Sequence, residues 1–300
     1  MARAPTRLRQ RRSETGAWEL AEAPPAPELR ELVRGYVGFT ETSPAPLRRR
    51  EAPSGTAVMI LNFGVPLEVG ARNRPTIAHS DSFVARVSEL PATTAFQGTS
   101  AGVQVDFTPL GLHLFCGLAL DELPDPAAGL AELLGDEGRR LTELIEDAGD
   151  WDSRFDLLDA VILERVAAAR PARPSVQWAW HALEASGGRV EIGRLTDRIG
   201  CSRRHLIQGF REEIGVSPKK AARILRFGQA ASVLRSGSRA SLARIATGCG
   251  YHDQAHMTRE FGVLAGISPA SYRDAVLPGF VGIPGDTEVN SVQDGDGARA

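Results

Sequence analysis

Two groups of residues have the chemistry to do work. Cys116, His79 and His113, with the Ser54-Gly55 and Asn62-Phe63-Gly64 segments, are those an enzyme would draw on. No second histidine stands close to His79 or His113, so a metal centre is not expected. Cys116 has no base beside it in sequence and reads as a buried structural thiol. The Ser-Gly and Asn-Phe-Gly segments read as turns rather than a phosphate loop. No catalytic residue, metal or cofactor is therefore expected, and the chain does not read as an enzyme. The second group is Arg203, Arg204, Ile207, Gln208 and Arg211, with Gln254, Ala255 and Arg259 some fifty positions later. A guanidinium can grip guanine by two hydrogen bonds and a carboxamide can do the same to adenine. The chemistry on offer is recognition of double-stranded DNA.

These side chains need rigid carriers, and an internal repeat supplies them. Ser202–Pro218 (SRRHLIQGFREEIGVSP) lies over Asp253–Pro269 (DQAHMTREFGVLAGISP) with a constant shift. His205 meets His256, Leu206 meets Met257, Phe210 meets Phe261, and Gly215, Ser217 and Pro218 meet Gly266, Ser268 and Pro269. Each copy is one supersecondary unit. In the first, Ile192, Leu195 and Ile199 line a short helix stopped at Gly200. Ser202 caps a second helix, whose Leu206 and Phe210 point inward. Gly215 ends it, and Ser217-Pro218 opens another with proline at the first helical position. In the second, Leu242, Ile245 and Cys249 line the first helix, with Gly248 and Gly250 at its end. Asp253 caps the next, Met257 and Phe261 face inward, and Gly266 stops it. Both copies read as helix-turn-helix units. Between them Lys219–Arg235 carries Ala222, Leu225, Ala230, Val233 and Leu234 at helical spacing, a rod of roughly 25 Å. Such a rod can set two reading helices against successive major grooves, about 34 Å apart.

The stretch from Ile245-Ala246 through Gly250-Tyr251, Asp253, Met257, Arg259 and Phe261 to Gly266-Ile-Ser268-Pro269 and Tyr272-Arg273 resembles the signature of the AraC/XylS family of bacterial regulators almost end to end. Cys249 and the His256-Met257 pair depart from it with core-compatible residues. The resemblance covers the C-terminal hundred residues and implies base contacts at Arg204, Ile207 and Gln208. Gln254 and Arg259 each fit either a base edge or a phosphate. His205 and His256, beside core positions, read as partly buried packing. Lys219, Lys220, Arg223 and Arg226 fit backbone phosphate or a plain exposed face.

Charge divides the chain in the same place. Residues 175–275 hold 15 Arg and Lys against 8 Asp and Glu, whereas the net charge of all 300 residues is −2. A basic module joined to an acidic one suits a nucleic-acid binder with an appended domain. The expected order is a disordered basic tail (1–15), a sensor and dimerisation domain (16–170), a linker over Pro171–Pro174, the DNA-binding domain (175–275), and a disordered tail (276–300). In the front half Ala57–Phe63, Val65–Val69, Phe83–Val87 and Val103–Phe107 read as short strands. Leu110–Leu120, Pro126–Leu134, Gly138–Ala148 and Trp151–Ala169 follow as helices. The fold class expected is α+β: a strand-rich, cupin-like front domain with helices, then an all-α domain of two helix-turn-helix units joined by a linker helix.

No apolar run approaches the roughly 20 residues of a membrane span, and the Arg-rich start is followed by no apolar stretch. A cytoplasmic protein without membrane contact is expected. Cys116, Cys201 and Cys249 are too scattered for a disulfide framework and read as buried free thiols. By resemblance, the front half would hold a small effector or only pair two subunits. Leu130, Leu133, Leu134, Leu141, Leu144, Ile145 and Phe155–Val166 fit a homodimer surface or internal packing equally. The partners expected are double-stranded DNA, with RNA polymerase, an effector and a second copy as further candidates, for an activator more than a repressor.

Overall fold

Strand alternation builds the front half. Val103, Val105 and Phe107 take every second place and are fully buried, as one covered sheet face requires. The computed structural model describes residues 3–13, 16–71, 77–79, 82–275 and 283–284. Its strands are β1 (Arg7–Ser13), β2 (Gly16–Ala23), β3 (Val33–Glu51), β4 (Ala57–Asn62), β5 (Leu67–Ala71), β6 (Ile77–His79), β7 (Phe83–Ala85), β8 (Ala92–Phe107), β9 (Ala128–Gly129) and β10 (Ile283–Pro284). All pair antiparallel in the order β1-β2-β3-β8-β4-β7-β9, with β5 on the other half of β8 and β10 on β3. β3 and β8 form the long spine. Their register slips between Ser43 and Leu47, where Pro44 and Pro46 cannot donate to the ladder.

Four helices cover this sheet: α1 (Pro109–Cys116), α2 (Leu130–Leu134), α3 (Asp136–Asp147) and α4 (Trp151–Ala168). Tyr36 of β3 stacks on Phe155 of α4 at 5.4 Å. Its hydroxyl donates to Asp159 Oδ1 at 2.7 Å, as does the Ala26 N–H at 2.9 Å. Helices then run to Ala275: α5 (Pro174–Ala185), α6 (Ile192–Ile199), α7 (Arg203–Ile214), α8 (Pro218–Arg235), α9 (Leu242–Gly248), α10 (Gln254–Leu264) and α11 (Pro269–Ala275). The α+β class and the division into a strand-rich front and a helical back are as the sequence suggests. Among the described residues no helix is long and apolar enough to cross a membrane.

Several expectations need correction. The basic segment expected to be loose is placed in the fold over residues 3–13. Arg7–Ser13 pairs with β2, and the Arg3 side chain is only 5% exposed. It meets Asp152 at 3.0 Å, Asp156 at 3.1 Å and Asp159 at 3.8 Å, and its guanidinium lies over the Phe155 ring. Pairing and aromatic cover compensate its burial. The helix expected from Pro126 starts only at Leu130, because Ala128 and Gly129 pair with β7 and the Leu130 N–H bonds Ser82 O at 2.8 Å. The helix expected to reach Leu120 stops at Cys116, where Gly117 closes it against His113 O. The tail at 276–300 lies outside the described residues except for Ile283 and Pro284, which pair with Arg50 and Arg49.

The apolar core is not split where the charge is. One contiguous cluster runs from the sheet through Phe107, Phe115 and Leu120 into Trp180, Leu206, Phe210 and Ile214, so the first helix-turn-helix unit shares the core of the front half. The second unit has its own cluster around Phe227, Phe261 and Tyr272, against which Ala52 of the front half also packs.

Candidate nucleic-acid interface

The second helix of each unit is built the same way. The Ser202 hydroxyl accepts from the His205 N–H at 3.2 Å, and Asp253 Oδ1 accepts from the His256 N–H at 2.7 Å. Each thus satisfies one of the unpaired amides of a helix start. Phe210 and Phe261 are wholly buried, as are Leu206 and Met257 beside them. Phe261 meets Phe227 of α8 at 4.7 Å and Tyr272 edge-on at 5.6 Å, an aromatic cluster that fixes α10 against the rod. Gly215 and Gly266 end the helices in left-handed conformations, at φ +88° and +73°. Ser217 occupies the cap position of α8 but makes no side-chain cap bond, whereas Ser268 accepts from the Ser271 N–H at 3.1 Å.

With the inner faces committed, the outer faces are fixed. Arg203, Arg204, Gln208 and Arg211 on α7 are exposed, and Ile207 is half-buried; Gln254, Ala255 and Arg259 on α10 are exposed. The structure thus brings the first five onto one face and the last three onto the matching face of the other copy. Ile207, Arg204, Gln208 and Arg211 border a cleft of about 380 Å³ with Asp121, from a 3-10 turn at Leu120–Glu122, on its far side. His205 is exposed rather than packed, because Leu206 takes the inward slot. His256 is half-buried, with its ring edge-on to Tyr251 at 5.3 Å and Nε2 3.5 Å from Glu260.

Of the four cations in the first half of the rod, Lys219 is exposed while three are engaged. Lys220 Nζ lies 2.8 Å from Glu89, and Arg223 bridges Glu89 at 3.2 Å and Glu260 at 3.0 Å. Arg226 donates to Gly188 O at 3.0 Å. The front half also grips the end of α7: Arg86 donates to Gly215 O at 3.2 Å while pairing with Asp125 at the same distance. Glu212 and Glu213, successive on α7, behave oppositely. Hydrogen bonds from Arg173 and Gln208 hold the Glu212 carboxyl below its ordinary range, while burial pushes Glu213 up. Cys116 is buried and its thiol is pushed up to about 12, a poor nucleophile. Cys249 is buried, but Cys201 is only half-buried.

A family model described as a helix-turn-helix domain matches residues 195–275. The F1 operon positive regulatory protein of Yersinia pestis is 34% identical over 101 residues, 34% of this chain and 33% of that protein. The HTH-type transcriptional regulator Rv1931c of Mycobacterium tuberculosis is 33% identical over 90 residues, 30% of this chain and 34% of that one. The C-terminal region is an AraC/XylS-family domain. The chain spans about a third of the length of these two relatives, and the match lies on that domain. Among solved structures, ToxT of Vibrio cholerae aligns with a TM-score of 0.48 at 8% identity, covering 78% of this chain and 96% of that one. A probable AraC family transcriptional regulator of Rhodopseudomonas palustris aligns at 25% identity and a TM-score of 0.32, covering 34% and 96%.

Sequence reasoning about the AraC-type domain missed the residues that connect it to the front half. Arg86, Glu89 and Arg173 come from loops and Asp121 from a 3-10 turn, where no periodicity marks a role. Glu212 carried a signal, since a carboxylate four positions after Gln208 sits one turn away on the same helix face.

Proposed function

We propose that this protein is a sequence-specific DNA-binding transcription regulator, an activator, whose front domain adjusts DNA occupancy in response to a cue. The observation that carries the reading is the duplicated unit. In both copies a capped helix is anchored by a buried phenylalanine and turns exposed polar side chains outward. Arg204, Ile207 and Gln208 read bases in the first copy; Arg203 and Arg211 hold phosphate. Gln254, Ala255 and Arg259 present the second reading face. The printed name of the Yersinia pestis relative, a positive regulatory protein, supports activation, for which RNA polymerase is the natural partner.

Control from the front half is supported by its contacts with the α7 terminus and with the rod, through Arg86 and Glu89. A small effector that favoured one packing of these contacts would shift the population competent for DNA. Most residues expected to pair two copies are spent on internal packing. Leu130, Leu141, Ile145, Phe155, Leu158 and Ile162 are buried, which leaves Leu144 and Leu163 exposed for a homodimer.

The test is selection of bound duplexes by the full chain from a random-sequence library, followed by binding to single base-pair variants of the best site. Arg204→Ala should cost about 1–3 kcal/mol at one base pair and leave non-specific binding nearly intact. Equal binding to all sequences would refute base readout.

A further inference from the structure

We propose that Glu212, held in turn by Arg173 of the interdomain linker, locks the amide of Gln208 in one orientation and so commits α7 to an adenine at one position of its site. The inference rests on the reading that α7 enters the major groove.

The three side chains form a short relay. Gln208 Nε2 donates to Glu212 Oε1 at 2.9 Å, and the Arg173 guanidinium donates to the other oxygen, Glu212 Oε2. Arg173 is itself anchored: its main-chain N–H lies 3.1 and 3.3 Å from the two Glu213 oxygens, and its Nε is 3.5 Å from Glu213 Oε1. The start of α5 presses on α7 at Gly209, where a Cβ would stand 2.6 Å from Val176 Cγ2 and 3.0 Å from Arg173 Nη1. Only the absence of a side chain at 209 lets the linker come this close.

An ionised carboxylate can only accept hydrogen bonds. Arg173 and Gln208 keep Glu212 ionised well below neutral pH. The amide nitrogen of Gln208, not its oxygen, must therefore face Glu212. One Nε2–H and the Oε1 acceptor remain for DNA, in a fixed order along the groove. Adenine presents a matching pair, the N6 donor beside the N7 acceptor, whereas guanine offers the two acceptors O6 and N7. A glutamine free to turn its amide over could satisfy adenine in either sense or give its two donors to guanine. The held one cannot. Ordering the side chain before DNA arrives also removes an entropy cost from binding, because glutamine is rich in rotamers.

The experiment uses the full chain and the best duplex selected from the random library, with every single base-pair variant of it. The unmodified protein should prefer A·T at one position by about tenfold, the range expected for one bidentate contact. Glu212→Gln keeps the shape but can donate or accept, so the lock is lost and that preference should fall to about twofold, while ratios at the other positions hold. Arg173→Gln cuts the relay from its far end and should act in the same direction, which guards against a fault peculiar to the first variant. In a Gln208→Ala background, Glu212→Gln should change no ratio. The proposal is overturned if Glu212→Gln leaves the preference intact, spreads the loss evenly over all positions, or acts equally without Gln208. A Gln208→Ala protein that keeps every base preference would instead remove Gln208 from base reading, and this proposal with it.

Discussion

Glu89 and Arg223, from opposite halves of the chain, pair at 3.2 Å, and the same carboxylate holds Lys220 at 2.8 Å. A single acidic residue on the loop before β8 thus pairs with two cations on the rod, of which Arg223 is also held by Glu260 at 3.0 Å. Glu89→Ala should therefore tighten binding to any duplex. The salt dependence should steepen by up to about one, since Lys220 alone is freed to displace a counterion from phosphate while Arg223 keeps its pair with Glu260. A titration series across salt concentrations checks this, and an unchanged slope would rule it out.

The two phenylalanines should fail differently. Phe261→Ala removes a fully buried ring from the cluster with Phe227 and Tyr272, a change that costs about 3–5 kcal/mol. Because that cluster belongs to the second unit, hydrogen exchange should accelerate in α9–α11 while the sheet stays protected. Phe210→Ala strikes the shared core, and exchange should rise in α1 as well as α7.

Asp253 gives α10 an acid limit. Its carboxyl is held below the usual range first by the His256 N–H and then by His252. A folded-state pKa below the unfolded one means that the carboxylate stabilises the fold above the ordinary Asp value, near 3.9. That contribution is lost as pH falls through the lowered value. Asp253→Asn keeps a capping oxygen but does not titrate. Amide exchange in the first turn of α10, followed from pH 5 to 2, should quicken in the parent protein relative to the variant. Parallel profiles would count against the cap.

Gly38 on β3 has no room for a methyl group. A Cβ there would lie 2.3 Å from the Trp151 ring, which stacks in turn on Phe155. Gly38→Ala should cost about 1–3 kcal/mol in chemical denaturation, the usual penalty for overpacking. The Trp151 indole N–H, 2.9 Å from Glu19, should be disturbed with it.

The back half was legible because its signals are local. A cap, an inward apolar pair four residues apart and a glycine stop each act within one or two helical turns, and the sequence carries them twice. The front half hid its longest strands because their determinants are remote. Pro44 and Pro46 interrupt the apolar pattern, yet β3 absorbs them in a register slip against β8. The start of the chain was misread for a related reason: an arginine-rich stretch looks solvated until its partners are known. Asp152, Asp156 and Asp159 fall on one face of α4, but only the fold shows that Arg3 reaches them. The exposed faces of α7 and α10 could be picked out by elimination, since packing claimed the rest. The grip of Arg86, Glu89 and Arg173 could not, for it depends on where two halves meet.

The shared core has a consequence for anyone who would transplant the back half. Residues 175–275 grafted behind a foreign receptor would carry a self-sufficient second unit but an unfinished first one. The new host would have to offer an apolar side chain where Leu120 lies against Gly215 and a guanidinium where Arg86 holds the Gly215 carbonyl. A chimera lacking both should keep the half-site read by α10 and lose its grip on the one read by α7.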